Sequence, residues 1–74
     1  MQMNEEFSRR LQKLREERTP VKSRHVISHL CGLPTDAIRR YERGESTPSM
    51  DALIKIADYY EVSLDYLVGR APYR

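Results

Sequence analysis

A short polar run holds the side chains of this sequence that are best placed to recognise another molecule. It faces away from an apolar edge of Ile38 and Tyr41 and comprises Thr35, Asp36, Arg39, Arg40 and Arg43. A guanidinium can donate two hydrogen bonds to the O6 and N7 atoms of guanine, and a carboxylate can accept one from the amino group of cytosine. A short helix with one buried edge and outward arginines fits the major groove. The run therefore predicts a surface that binds double-stranded DNA.

Catalytic and metal-binding chemistry is not indicated elsewhere in the chain. The sequence contains no set of nucleophile, base and orienting group, and no glycine-rich loop that cradles a phosphate. His25 and His29 stand one helical turn apart and could chelate a metal with Cys31, but a structural zinc site needs a fourth ligand. We therefore expect no enzymatic activity, no cofactor and no metal, with Cys31 a small, partly buried core residue.

A short helix is predicted before the polar run, followed by a tight turn. Its apolar stripe at helical spacing is Val26, Ile27 and Leu30. Gly32 comes directly after it, where a helix end favours a residue that tolerates a left-handed conformation. Two starts fit this helix: Ser23 can cap it while Val21 covers the core edge, or Thr19 can cap a longer helix that begins at Pro20. We favour the start at Ser23.

The polar run itself is predicted to form a second helix over residues 35–43. Proline at position 34 suits a first helical turn but has no side chain that can accept a hydrogen bond, so Thr35 or Asp36 is expected to cap this helix. Asp36 has two alternative roles. It can accept from a cytosine, or it can steady Arg40, which lies four positions further on. We favour the second role because a carboxylate close to phosphates is costly.

Three further helices are predicted around this pair, each with a residue that can cap it. The first runs from about Asn4 to Arg18. Ser49 can cap the fourth helix, and Ser63 can cap a fifth that ends at Gly69. The 74 residues make a single domain, in which residues 70–74 are expected to form a frayed tail. The predicted core comprises Phe7, Leu11, Leu14, Ile27, Leu30, Leu33, Ile38, Leu53, Ile56, Ala57, Val62, Leu64 and Leu67.

The pattern Ile27-Ser28-x-x-x-Gly32-Leu33-x-x-x-x-Ile38-x-x-Tyr41-Glu42-x-Gly44 resembles the helix-turn-helix core of the XRE-type regulators, which include the phage Cro and repressor DNA-binding domains. Residues 48–60 and 62–69 are similar to the fourth and fifth helices of that family, although Glu61 stands where the family commonly has glycine. The resemblance implies an all-α, five-helix, lambda-repressor-like domain with its core at about 5–69. It also implies a sequence-specific transcriptional regulator of the repressor type that reads DNA with residues 35–43.

The same resemblance implies individual roles. The base-reading residues are Thr35, Asp36, Arg39 and Arg40, and the strongest candidate is Arg40. The residues expected to hold phosphates are Arg24, Arg43, Ser46 and Thr47. Arg15 and Glu42 are positioned to pair between the first and third helices. That pair would be structural, since it would fix the recognition helix rather than contact a base.

Charge is distributed unevenly along the chain, although the net charge is only +2. Residues 1–43 hold ten basic and six acidic residues, whereas residues 44–74 hold three basic and five acidic ones. The basic half contains the predicted reading helix, and the acidic half would face away from the DNA backbone. A single cysteine cannot form an internal disulfide, which fits a reducing cytoplasm, and no membrane segment or small-molecule pocket is indicated.

A homodimer on a palindromic site is the expected assembly, with the two reading helices about 34 Å apart. The candidate contact residues are Tyr59, Tyr66, Val68 and Tyr73. The alternative is a protein-interaction module, such as an antitoxin, that uses the same fold to hold another protein.

Overall fold

Five helices make up the part of the chain that the computed structural model describes, residues 3–74, with side chains from Glu5 onward. They are α1 (Met3–Glu17), α2 (Arg24–Leu30), α3 (Ala37–Glu42), α4 (Met50–Tyr60) and α5 (Leu64–Leu67), and these residues contain no strand. The predicted all-α, five-helix architecture is therefore present. The side chain of Asn4, the predicted cap of the first helix, lies outside the described residues. No helix between residues 3 and 74 is long and apolar enough to cross a membrane.

Serine side chains cap the N-terminal ends of three of these helices. Ser23, Ser49 and Ser63 each have extended backbone angles, and each hydroxyl accepts a hydrogen bond from the amide three residues on, at 3.2, 3.1 and 3.0 Å. These bonds satisfy amides that have no acceptor within their own helix. The start of α2 at Ser23 is thus confirmed, and the longer helix from Thr19 is wrong. Val21 is exposed and does not cover the core edge.

The core is centred on α1, which packs against both α3 and α5. Its fully buried apolar residues are Phe7, Leu11, Ile38, Ile56 and Leu67. Two predicted core residues are wrong, because Leu30 is 48% exposed and Leu64 is 36% exposed. The inward pair is Ile27 of α2 and Cys31, which directly follows α2 one turn further on, so that the neighbouring stripe containing Leu30 faces outward.

The last five residues are fastened to the helical body, so the expected frayed tail is wrong. The Ser63 amide donates to the Arg74 carbonyl at 3.2 Å, and the Arg10 guanidinium donates to the Ala71 carbonyl. The Arg74 side chain pairs with Glu17. The guanidiniums of Arg10 and Arg74 lie 4.5 and 5.4 Å from the centre of the Tyr66 ring. Tyr66 is therefore buried and is not available as a dimer contact.

Helix α4 ends in a left-handed residue that has a side chain. Glu61 has φ 56° and ψ 48°, and its amide donates to the Asp58 carbonyl at 3.2 Å. A Cβ atom in this conformation costs about 1 kcal/mol, which glycine avoids. We expect Glu61→Gly to raise the free energy of unfolding by up to about 1 kcal/mol, measured by urea denaturation.

Glu61→Ala is the matched control for this prediction, since it removes the carboxylate but retains the Cβ atom. Its stability should stay within about 0.5 kcal/mol of the wild type. If Glu61→Gly and Glu61→Ala change stability equally, the gain does not come from the backbone conformation.

Candidate nucleic-acid interface

The turn between α2 and α3 brings the two helices of the predicted reading unit together. Gly32 adopts φ +73°, the left-handed conformation that the sequence predicted for this position. The Leu33 amide then donates to the Ser28 carbonyl at 2.9 Å, which closes the end of α2. The chain thus turns within a few residues, and α2 packs directly against α3.

Helix α3 begins two residues later than predicted, at Ala37 instead of 35, and ends at Glu42. Thr35 and Asp36 form a turn in front of it, in which the Ala37 amide donates to the Pro34 carbonyl at 2.9 Å. Asp36 occupies the cap position, but its side chain makes no capping hydrogen bond. The prediction that Thr35 or Asp36 caps this helix through its side chain is therefore wrong.

The hydroxyl that bonds the first turn of α3 comes from α2. The Ser28 Oγ atom accepts from the Ile38 amide at 3.0 Å and donates to the Arg24 carbonyl at 2.9 Å. Sequence reasoning assigned no role to Ser28. The sequence did contain a signal for this role, since Ser28 directly follows Ile27 of the apolar stripe. A serine at a buried position needs hydrogen-bond partners for its hydroxyl.

Arg40 and Arg39, adjacent in sequence, have different surroundings. Arg40 is exposed, and its side chain has no ion pair or hydrogen bond with any residue that the structure describes. Arg39 instead pairs with Asp36, the Nη2 and Oδ2 atoms being 3.3 Å apart. The favoured role of Asp36 as a partner for Arg40 is therefore wrong: the carboxylate steadies Arg39, one residue earlier.

A shallow hollow beside α3 gathers four of the predicted DNA-binding residues. Its lining includes Asp36, Arg40, Ser46 and Thr47, with Pro34 and Tyr41 as further walls. Residues from the turn before α3 thus meet residues from the loop after it. Arg39 and Arg43 do not line this hollow.

The two arginines predicted to hold phosphates flank the helix pair in sequence, one at the start of α2 and the other directly after α3. Arg24 is the first residue of α2, and its exposed guanidinium comes within 3.9 Å of Glu42. Arg43 directly follows α3, and its Nε atom lies 2.9 Å from a carboxylate oxygen of Glu45. Both guanidiniums have neighbouring carboxylates, and both remain open to solvent, so each can still contact an anion.

A shielded ion pair fastens the end of α3 to α1. Arg15 donates from Nε and Nη2 to the two carboxylate oxygens of Glu42, at 2.7 and 3.0 Å. The side chains are only 12% and 2% exposed, and the hydrogen bonds to Glu42 raise the pKa of Arg15 above its ordinary value. The ring of Phe7 also meets Tyr41 edge-on at 5.6 Å, and Ser8 donates to the Tyr41 carbonyl. Helix α3 is thus held on its inner side by α1.

The residues weighed as metal ligands do not come together. Within the described part of the chain, no group of three His, Cys, Asp or Glu side chains is arranged to hold a metal ion. Cys31 is buried, and burial raises the pKa of its thiol to about 11. The thiol is therefore protonated at neutral pH and packs as an apolar group.

Comparisons with known proteins agree with this geometry. A helix-turn-helix family profile matches residues 22–67, which run from the loop before α2 to the end of α5. The cryptic phage CTXphi transcriptional repressor RstR of Vibrio cholerae is 39% identical over 49 residues. That alignment covers 66% of this chain and 44% of the relative, so the chain matches less than half of the relative's length. No solved structure matches the chain.

Proposed function

The chain belongs to the XRE-type helix-turn-helix family, and from this membership we propose that it is a sequence-specific DNA-binding transcriptional regulator of the repressor type. The observation that carries the proposal is the hollow beside α3, where the exposed Arg40 stands next to Ser46 and Thr47. An outward arginine without a protein partner among the described residues is available for a base, and hydroxyls beside it suit the neighbouring phosphates.

In the proposed complex, α3 lies in the major groove and α2 crosses the DNA backbone above it. Arg40 donates two hydrogen bonds to a guanine. Thr35 and Asp36 contact bases at the start of α3. Arg39, which pairs with Asp36 at 3.3 Å, makes a further base contact from the first turn of α3.

The proposed phosphate contacts surround this reading helix. Arg24 and the first amides of α2 approach one strand, while Arg43, Ser46 and Thr47 approach the backbone beyond the end of α3. Each guanidinium that neutralises a phosphate releases condensed cations, so binding should weaken steeply as salt is added.

We further propose a homodimer, which would place two copies of α3 about 34 Å apart on a palindromic site. Exposed apolar side chains are available on α4 (Met50 and Ile54), and Tyr73 is open near the end of the chain. The proposed protein acts in the cytoplasm, where its one cysteine stays reduced. It acts by binding DNA, without enzymatic chemistry or a cofactor.

A salt series tests the phosphate contacts. A duplex is first selected by the wild-type chain from a randomised pool, and fluorescence anisotropy then compares it with a scrambled duplex. Arg24→Ala should weaken binding to both duplexes by a similar factor and reduce the slope of log affinity against log salt by about 1, because one cation release is lost.

Arg70→Ala is the matched control for Arg24→Ala. It removes one exposed arginine that follows α5, an element that packs against α1 and α4. Its salt slope should equal that of the wild type. An unchanged slope in Arg24→Ala would contradict the phosphate role of Arg24. If no duplex is enriched from the pool, the proposed function itself is wrong. That result would favour the alternative of a protein-interaction module, such as an antitoxin.

A further inference from the structure

Ser28 is the one polar residue among the fully buried side chains of the described chain. It is 0% exposed, and its hydroxyl makes two hydrogen bonds, one as donor and one as acceptor. One bond remains inside α2, to the Arg24 carbonyl, while the other leaves the helix and reaches the Ile38 amide of α3. A single buried atom therefore connects the first residue of α2 with the first turn of α3.

The first turn of α3 depends on the Ser28 Oγ atom because α3 has no side-chain cap of its own, unlike α2, α4 and α5. Helices α2, α4 and α5 each begin with their own serine cap in extended backbone. At the corresponding place in α3, Asp36 has φ −95° and ψ 5°, and its carboxylate pairs with Arg39. Ile38 is fully buried, so water cannot reach its amide in place of Ser28.

The hydrogen bond between Ser28 and Ile38 lies where it can affect the proposed recognition of DNA. Successive residues on a helix are rotated by about 100°, so the direction of Arg40 depends on how the first turn of α3 is set. The same hydroxyl donates to the backbone carbonyl of Arg24, the residue whose side chain is the proposed phosphate contact. It therefore connects the backbone of the residue proposed to hold a phosphate with the helix that carries the residue proposed to read the base.

We propose that Ser28 is a positioning residue for DNA recognition, whose hydroxyl sets the rotation of α3 against α2 so that phosphate and base contacts form together. This inference rests on the proposed DNA-binding function. It predicts a loss of sequence discrimination, beyond a loss of stability, when the hydroxyl is removed.

The test compares Ser28→Ala with Ser63→Ala, since each removes one serine hydroxyl that bonds a first-turn amide. Binding to the selected and scrambled duplexes is measured at a temperature where circular dichroism shows both variants folded. Ser28→Ala should lose affinity for the selected duplex by about fivefold or more, with less than about a twofold change on scrambled DNA. Ser63→Ala should keep the wild-type ratio between the two duplexes.

Two outcomes separate this inference from the function on which it rests. A wild type that does not discriminate between the duplexes overturns both. A wild type that discriminates, with a Ser28→Ala variant that discriminates equally well, overturns the positioning role alone.

Amide hydrogen exchange of the wild-type chain provides a check that does not depend on the folding of a variant. The Ile38 amide should exchange as slowly as that of Ile56, which is also fully buried. Exchange of the Ile38 amide at the rate of an unstructured amide would show that the bond to Ser28 is absent, and the inference would be overturned.

Discussion

Arg40→Ala is expected to weaken binding to the selected duplex by about 1–3 kcal/mol while changing binding to scrambled DNA far less. The reason is that a bidentate contact with guanine is lost only where the correct base is present. Arg40 is exposed and has no partner among the described residues, so the substitution should alter stability by less than about 0.5 kcal/mol. Fluorescence anisotropy on the two duplexes measures both effects, with urea denaturation as the check on folding.

Arg39→Ala is the closest control for Arg40→Ala, because it removes the neighbouring charge from the same helix. Arg39 is paired with Asp36 and does not line the hollow beside α3. We expect its loss on the selected duplex to be smaller than that of Arg40→Ala. Equal losses on selected and scrambled DNA for Arg40→Ala would show that Arg40 contacts only phosphate.

Glu42→Ala is expected to lower the free energy of unfolding by about 3 kcal/mol, the largest effect on stability that we predict. The substitution leaves the Arg15 guanidinium without the carboxylate that accepts two of its hydrogen bonds. Breaking a buried pair costs about 3–5 kcal/mol, and the lower end applies because Arg15 remains 12% exposed and retains some contact with water. Denaturation by urea, followed by circular dichroism, measures the change.

Two further variants identify the cause of that loss. Lys55→Ala removes one member of an exposed pair with Asp51 and should cost less than about 1 kcal/mol. The double variant Arg15→Met/Glu42→Leu replaces both charges with apolar groups and should be more stable than Glu42→Ala alone. A Glu42→Ala variant as stable as Lys55→Ala would contradict the account of α3 as a helix fixed by this pair.

Local patterns in the sequence predicted the helices because each pattern acts within a few residues. The serines at positions 23, 49 and 63 cap the helices that follow them, and Gly32 makes the turn. The family resemblance likewise implied a pair between Arg15 and Glu42, and the two side chains are in contact. The roles assigned to the DNA-binding residues stay predictions, since they concern a partner molecule.

The features that could not be predicted depend on contacts between distant parts of the chain. Leu30 and Cys31 both lie at helical spacing from Ile27, and which of the two faces inward is decided by the side of α2 that packs against the other helices. The hydrogen bond between Ser28 and Ile38 joins residues ten positions apart. A capping pattern in a sequence involves residues only two or three positions apart, so it does not predict this bond. The expected fraying of the tail was wrong because one of its anchors, Arg10, lies 61 residues before Ala71, which it holds.

We have proposed the α2–α3 face as the DNA-binding surface. The most direct measurement is the change in backbone amide chemical shifts of the wild-type chain when the selected duplex is added. We expect the largest changes at the start of α2, through residues 35–43 and in the loop at 44–47, while α5 changes little. Changes concentrated on α4 and α5, with α3 unaffected, would contradict this proposal.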